Sequence, residues 1–152
     1  MTSPYNEYLG SGLSEVVNSP DITGDVTAIR SSKIAMLRTA ASAQIVAGFT
    51  SSALGREHVY PSAPVDQANL SASVVASMLP GVDGSWSTPF WVLDPASGIW
   101  SFADHSAEQI QKAGADGKAA VVSAQTKLAR LTDEAEKAST VGEIEQISWL
   151  DA

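Results

Sequence analysis

The sequence contains no cysteine. That absence excludes disulfides, thiolate catalysis and zinc sites of the cysteine type, and it suits assembly in a reducing cytoplasm. Basic residues are few: nine Lys and Arg stand against seventeen Asp and Glu, a formal net charge of −8. Such a field repels phosphate backbones and anionic headgroups, which argues against nucleic acid and membrane as partners. No apolar run approaches the length of a membrane-spanning helix. The opening Met1-Thr2-Ser3-Pro4-Tyr5-Asn6-Glu7 has no basic stretch and no apolar run after it, so it does not read as a signal peptide. Catalytic signatures are missing too. No serine stands in a Gly-x-Ser-x-Gly elbow, and Gly81-Val82-Asp83-Gly84 lacks the Lys-Ser/Thr of a phosphate-binding loop.

What is present is a chain of 152 residues with 44% hydrophobic and 17% charged residues, enough for one domain with a single core. Residues 1–25 carry Pro4, Gly10, Gly12, Pro20 and Gly24, a density of breakers that predicts an extended arm. Tyr5, Tyr8, Leu9 and Leu13 give that arm apolar groups with which to dock on a partner. Residues 26–152 then form the domain proper. From Asp25 to Leu54 there is no proline, and Val26, Ile29, Leu37, Ala40, Gln44 and Ala47 fall near one face, which predicts a first long helix. A shorter helix is expected over Val65–Met78, stopped by Pro80-Gly81. Phe90-Trp91-Val92-Leu93 and Ile99-Trp100-Ser101-Phe102 flank the turn residues Asp94–Gly98 and predict a hairpin. Ser106 and Gln109 have capping-box spacing for a long helix to about Ala138, and Thr140 with Glu143 repeats it for a short last one.

The two long helices are rich in small residues: Ala40, Ala41, Ala43 and Ala47 in one, Ala113, Gly114, Gly117, Ala120 and Ala124 in the other. Small side chains let helix axes approach to the near end of the ~8–10 Å packing range. The expected fold is therefore α+β and mostly helical: an antiparallel pair of long helices, a small aromatic β-hairpin over one end, and the extended N-terminal arm. Arg30, Lys33 and Arg38 near the start of the first helix should attract the acidic C-terminal end, where Asp133, Glu134, Glu136, Glu143, Glu145 and Asp151 cluster.

Each candidate for chemistry has a structural reading beside it. His58 and His105, with Asp66 or Asp104, contain the elements of a two-histidine, one-carboxylate metal site. Neither lies in an i, i+4 histidine pair, and hydrogen bonding within the fold is the expectation; no metal and no cofactor is assigned. Asp66, Gln67 and Asn69 open a helix, where the carboxylate suits the exposed N–H groups and the amides suit a neighbouring loop. Trp86, Trp91, Trp100 and Trp149 are the largest apolar groups. Trp100 and Trp149 are expected to pack inward, and at least one of Trp86 and Trp91 to border a contact surface.

Several of these residues also stand in an order that resembles a domain family of unknown function found with the tail proteins of tailed bacteriophages. Its pattern is a helix ending in Gly-Phe with Leu-Gly after it, then His-x-Tyr, Asp-Gln-x-Asn-Leu, a Trp-bearing hairpin, His-Thr before a helix with Gln-Ile, and a terminal Ile-x-Trp. Here Gly48-Phe49 and Leu54-Gly55 open the match, followed by His58 with Tyr60 and by Asp66-Gln67 with Asn69-Leu70. Trp100, His105-Ser106, Gln109-Ile110 and Ile147 with Trp149 complete it, with Ser106 where the family has Thr. The resemblance spans residues 26–149 and implies no enzymatic activity. It implies a structural protein of the virion tail, associated with fibre or baseplate, made in the bacterial host cytoplasm and acting through other tail proteins and through homo-oligomers, trimers among them. An assembly chaperone for the fibre is the alternative reading, and a small cell-wall hydrolase a distant one.

Overall fold

The computed structural model describes residues 22–152. Tyr5, Tyr8, Leu9 and Leu13, and with them most of the expected arm, lie outside the described residues. The elements follow in the order α1 (Ile22–Val46), β1 (Phe49–Ser51), β2 (His58–Tyr60), α2 (Pro64–Ser77), β3 (Ser87–Asp94), β4 (Ile99–Ser106), α3 (Ala107–Lys137) and α4 (Val141–Gln146). The protein is α+β, with four helices and a four-stranded antiparallel sheet in the order β1-β2-β3-β4 among the described residues.

Two boundaries differ from expectation. Residues 22–25, assigned to the arm, already belong to α1, whose first turn is favoured by Asp25. At its other end α1 stops at Val46 rather than Leu54, because Gly48 turns the chain at φ +110° and Phe49–Ser51 then pairs with His58–Tyr60. A Cβ at Gly48 would lie 2.6 Å from the Tyr60 carbonyl oxygen, so both the dihedral and the close approach require glycine. Early termination also moves the buried face of α1: Val26, Leu37 and Ala41 are buried, whereas Gln44 and Ala47 are exposed.

β3 and β4 form a regular hairpin in unbroken register from Ser87↔Ser106 to Asp94↔Ile99. β2 touches β3 at Val59↔Leu93, which adds the two short strands that the sequence did not announce. Arg56 fastens this junction through a bidentate pair with Asp94 at 2.8 and 2.9 Å. One core lies between the inner face of the sheet and the helices, built from Phe49, Tyr60, Leu70, Phe90, Val92, Ile110 and Ala113. α3 supplies its stripe from Ile110, Ala113, Gly117, Ala124, Leu131 and Ala135, which recur at helical spacing.

Helix ends are satisfied as the sequence suggests, and once as it does not. Ser106 Oγ accepts from the Gln109 N–H at 3.2 Å while Gln109 Oε1 accepts from the Ser106 N–H at 2.8 Å. Thr140 and Glu143 repeat the exchange before α4. Arg30 and Lys33 do not meet the acidic side chains. Arg30 donates to the carbonyls of Ala135 and Ala138 at 3.0 and 2.8 Å, and Lys33 to that of Ile147 at 2.9 Å. The C-terminal carbonyls of a helix carry partial negative charge and lack intrahelical donors, so they compete successfully with solvated carboxylates for these cations. The same contacts place the start of α1 beside the end of α3.

Candidate functional site

Of the resemblance residues, Phe49, Tyr60 and His105 meet in one buried cluster. Gly48 delivers Phe49 to the core, where its ring stacks on Tyr60 with centroids 5.3 Å apart; Tyr60 stacks in turn on Phe90 at 6.3 Å. His105 meets Tyr60 edge-on at 5.7 Å and shares a 2.8 Å hydrogen bond between Nε2 and the phenol. Its Nδ1 lies 2.8 Å from the Ala103 carbonyl, which can only accept. Nδ1 therefore carries the proton, and Nε2 accepts from the Tyr60 hydroxyl. Burial disfavours both charged forms: the Tyr60 phenol is pushed up to about 12, with the Asp116 charge adding to the effect, and His105 is held below its usual value. Burial thus favours the neutral form of both groups.

His58 is also buried, and its Nδ1 donates to the Arg56 carbonyl at 3.0 Å. Among the described residues no three of His, Asp and Glu come together as a ligand set, and neither Asp66 nor Asp104 joins the histidines. Asp66 is not the helix cap itself. It sits in the first turn of α2, where its Oδ2 accepts from the Ala63 N–H at 3.1 Å, because Pro64 opens the helix two residues earlier. Gln67 Nε2 ties the preceding loop through the Ser62 carbonyl at 2.8 Å, and Asn69 is exposed.

One polar pair went unread in the sequence. Ser51 Oγ donates to Asp116 Oδ2 at 2.5 Å and accepts from the Ala53 N–H at 3.1 Å. That bond and Lys112, 3.0 Å away, hold the Asp116 carboxyl below its usual range. Ser51 faces His58 across the strand pair, but its hydroxyl donates to the Asp116 carboxylate rather than to the imidazole. The only advance signal was Lys112 four residues before Asp116 on one helix face.

Two glycines of α3 serve packing. A Cβ at Gly117 would meet the Phe49 ring at 2.9 Å, and one at Gly114 would meet Val74 Cγ2 at 2.6 Å. Above them, between α2 and α3, lies a groove of about 420 Å³ lined by Leu70, Val74, Val75 and Val121 with Gln67 and Lys118.

On the opposite face of the sheet the tryptophans distribute differently from expectation. Trp100 does not pack inward: it is 48% exposed, beside Trp91 at 50% and Phe102 at 56%. Inner positions of the hairpin are taken by Phe90 and Val92, and alternation along a strand sends Trp91, and across from it Phe102 and then Trp100, to the outer face. Trp91 and Phe102 are cross-strand partners with ring centroids 5.1 Å apart. Ile99, at the turn, is 64% exposed. Trp100 and Phe102, two apart in one strand, had to share a face, which was the overlooked clue. Trp86 packs against the core. Trp149 lies against the two long helices, where its Nε1 donates to Gln44 Oε1 at 2.9 Å and Lys127 Nζ stands 4.7 Å from the ring centroid.

In comparisons with known proteins, no family model, curated protein or solved structure matches the chain.

Proposed function

We propose that this protein is a structural component of a bacteriophage tail, associated with fibre or baseplate, and that it acts by protein–protein docking rather than catalysis. The observation that carries the docking reading is the outer face of the hairpin, where Trp91, Trp100 and Phe102 leave about half their surface in water. Exposed contiguous apolar patches mark interaction sites, and aromatic anchors supply much of the energy of protein interfaces. The tail assignment is supported by the ordered resemblance from Gly48-Phe49 to Trp149. Those residues act as a fold signature in this reading, since Phe49, Tyr60 and His105 are consumed by core packing and their own hydrogen bonds.

The body is read as an antiparallel pair of long helices, α1 and α3, that carries the aromatic hairpin at one end. The N-terminal arm is the proposed anchor to a fibre or baseplate subunit. Quantitative mass spectrometry of purified phage particles tests the proposal by giving the copy number of this chain relative to a known tail subunit. A fixed ratio in multiples of three or six supports a built-in part. Absence from particles, with presence in infected-cell extracts, replaces this reading by that of an assembly chaperone.

A further inference from the structure

Among the described residues, β4 lies at the outside of the sheet and pairs with β3 alone. Exposed strand edges are ordinarily protected by lysine, proline, a bulge or brevity. This one has eight residues, no lysine, no proline, unbroken register, and Asp104 as its only acidic group. Its outward side chains, Trp100 and Phe102, run directly into the aromatic face shared with Trp91. The edge and the face are uncharged except at the Asp104 end, in a chain of net charge −8.

We infer that β4 is the contact through which two copies of this chain associate, edge to edge and antiparallel, joining their sheets into one. A second copy fits this surface because it brings the same neutral, apolar strip and buries no unpaired charge. The register follows from side-chain alternation and charge. Placing Trp100 of one copy opposite Phe102 of the other sets Ser101 on the two-fold axis and keeps all aromatic groups on one face. Asp104 then falls opposite Gly98, at the rim. A shift of two residues would set Asp104 against Trp100, and a shift of one would turn the aromatic face inward.

The contact is closed. β1, the other edge, has only three residues and cannot match β4 in a head-to-tail chain of copies. Only the flanks of Trp100 and Phe102 that turn to the neighbouring strand are covered, so with the strand edge the contact buries less than the about 800 Å² per copy of a standard interface. A dimer dissociating in the micromolar range is expected. This inference rests on the docking reading of the face but not on the tail assignment.

Sedimentation equilibrium of the full chain provides the test, together with a cysteine introduced into a sequence that has none. The intact chain should show a monomer–dimer equilibrium, and Phe102→Glu should weaken it at least about tenfold with an unchanged circular dichroism spectrum. Ser101→Cys should yield a disulfide-linked dimer on mild oxidation, since directly opposed residues of antiparallel strands lie about 4.5–5.5 Å apart at Cα, within disulfide reach. Ala96→Cys, in the exposed turn, should not. A monomer at concentrations up to about 100 μM, a trimer, or a dimer indifferent to Phe102→Glu would overturn the inference. A monomer found at fixed copy number in particles would overturn self-association and leave the tail reading standing. A dimer of the expected kind that is absent from particles would do the reverse.

Discussion

Gly48 shows how much one residue can specify. Its positive φ ends α1, and its missing side chain lets the chain pass within contact of the Tyr60 carbonyl, so that Phe49 enters the core and β1 finds β2. Gly48→Ala should destabilise the protein by at least about 2 kcal/mol in denaturant unfolding, from strain and a backbone clash together. At Gly117 a new Cβ meets the far edge of the rigid, core-packed Phe49 ring rather than a flexible chain end. Overpacking of about 1–3 kcal/mol there should exceed the ~1 kcal/mol that alanine gains over glycine in a helix. At Gly114 the obstacle is Cγ2 of Val74, a β-branched side chain stiff at χ1, and the alanine variant should likewise be destabilised in the same measurement. His105 predicts a pH effect. Its native pKa is depressed, chiefly by burial, below the ordinary 6.5. The unfolded chain therefore binds the proton more readily, and this contribution to stability is complete above 6.5 and is lost as pH falls from there through the native value. Unfolding free energies measured at neutral and mildly acidic pH should decline accordingly, and the decline over that window should be smaller in His105→Gln.

At the scale of elements, helix caps were the most legible feature of the chain. Ser106 with Gln109 and Thr140 with Glu143 need only local spacing to be recognised, and both act as expected. Ser106→Ala should cost about 1 kcal/mol. Arg30 could not be read in this way, because its partners, the Ala135 and Ala138 carbonyls, lie more than a hundred residues away. Arg30→Ala should cost about 1.5–3 kcal/mol by removing charge-assisted bonds to the end of α3, and Arg30→Lys should recover only part, since a single ammonium replaces the guanidinium fork. Chemical denaturation of the three variants checks both statements. β1 and β2 were missed for a related reason. Three-residue strands carry almost no periodic signal, and they exist because Gly48 and the loop before His58 bring Phe49–Ser51 alongside His58–Tyr60.

For the whole molecule, deletion of residues 1–20 tests the proposed division of labour between arm and body: attachment to the tail should be lost while the circular dichroism of the helical body is retained. If attachment persists, the arm is not the anchor. Composition, helix periodicity and turn residues by themselves determined the α+β class, the hairpin, the caps and the exclusion of cysteine chemistry, because these depend on contacts a few residues apart. Sidedness was decided only by tertiary structure. Alternation shows that Trp100 and Phe102 share a face, but not which face meets the helices; that depends on Phe90 and Val92 having already filled the space above Ile110 and Ala113. The same holds for Ser51 with Asp116 and for Tyr60 with His105, whose partners are brought together by the packing of distant segments rather than by any local pattern.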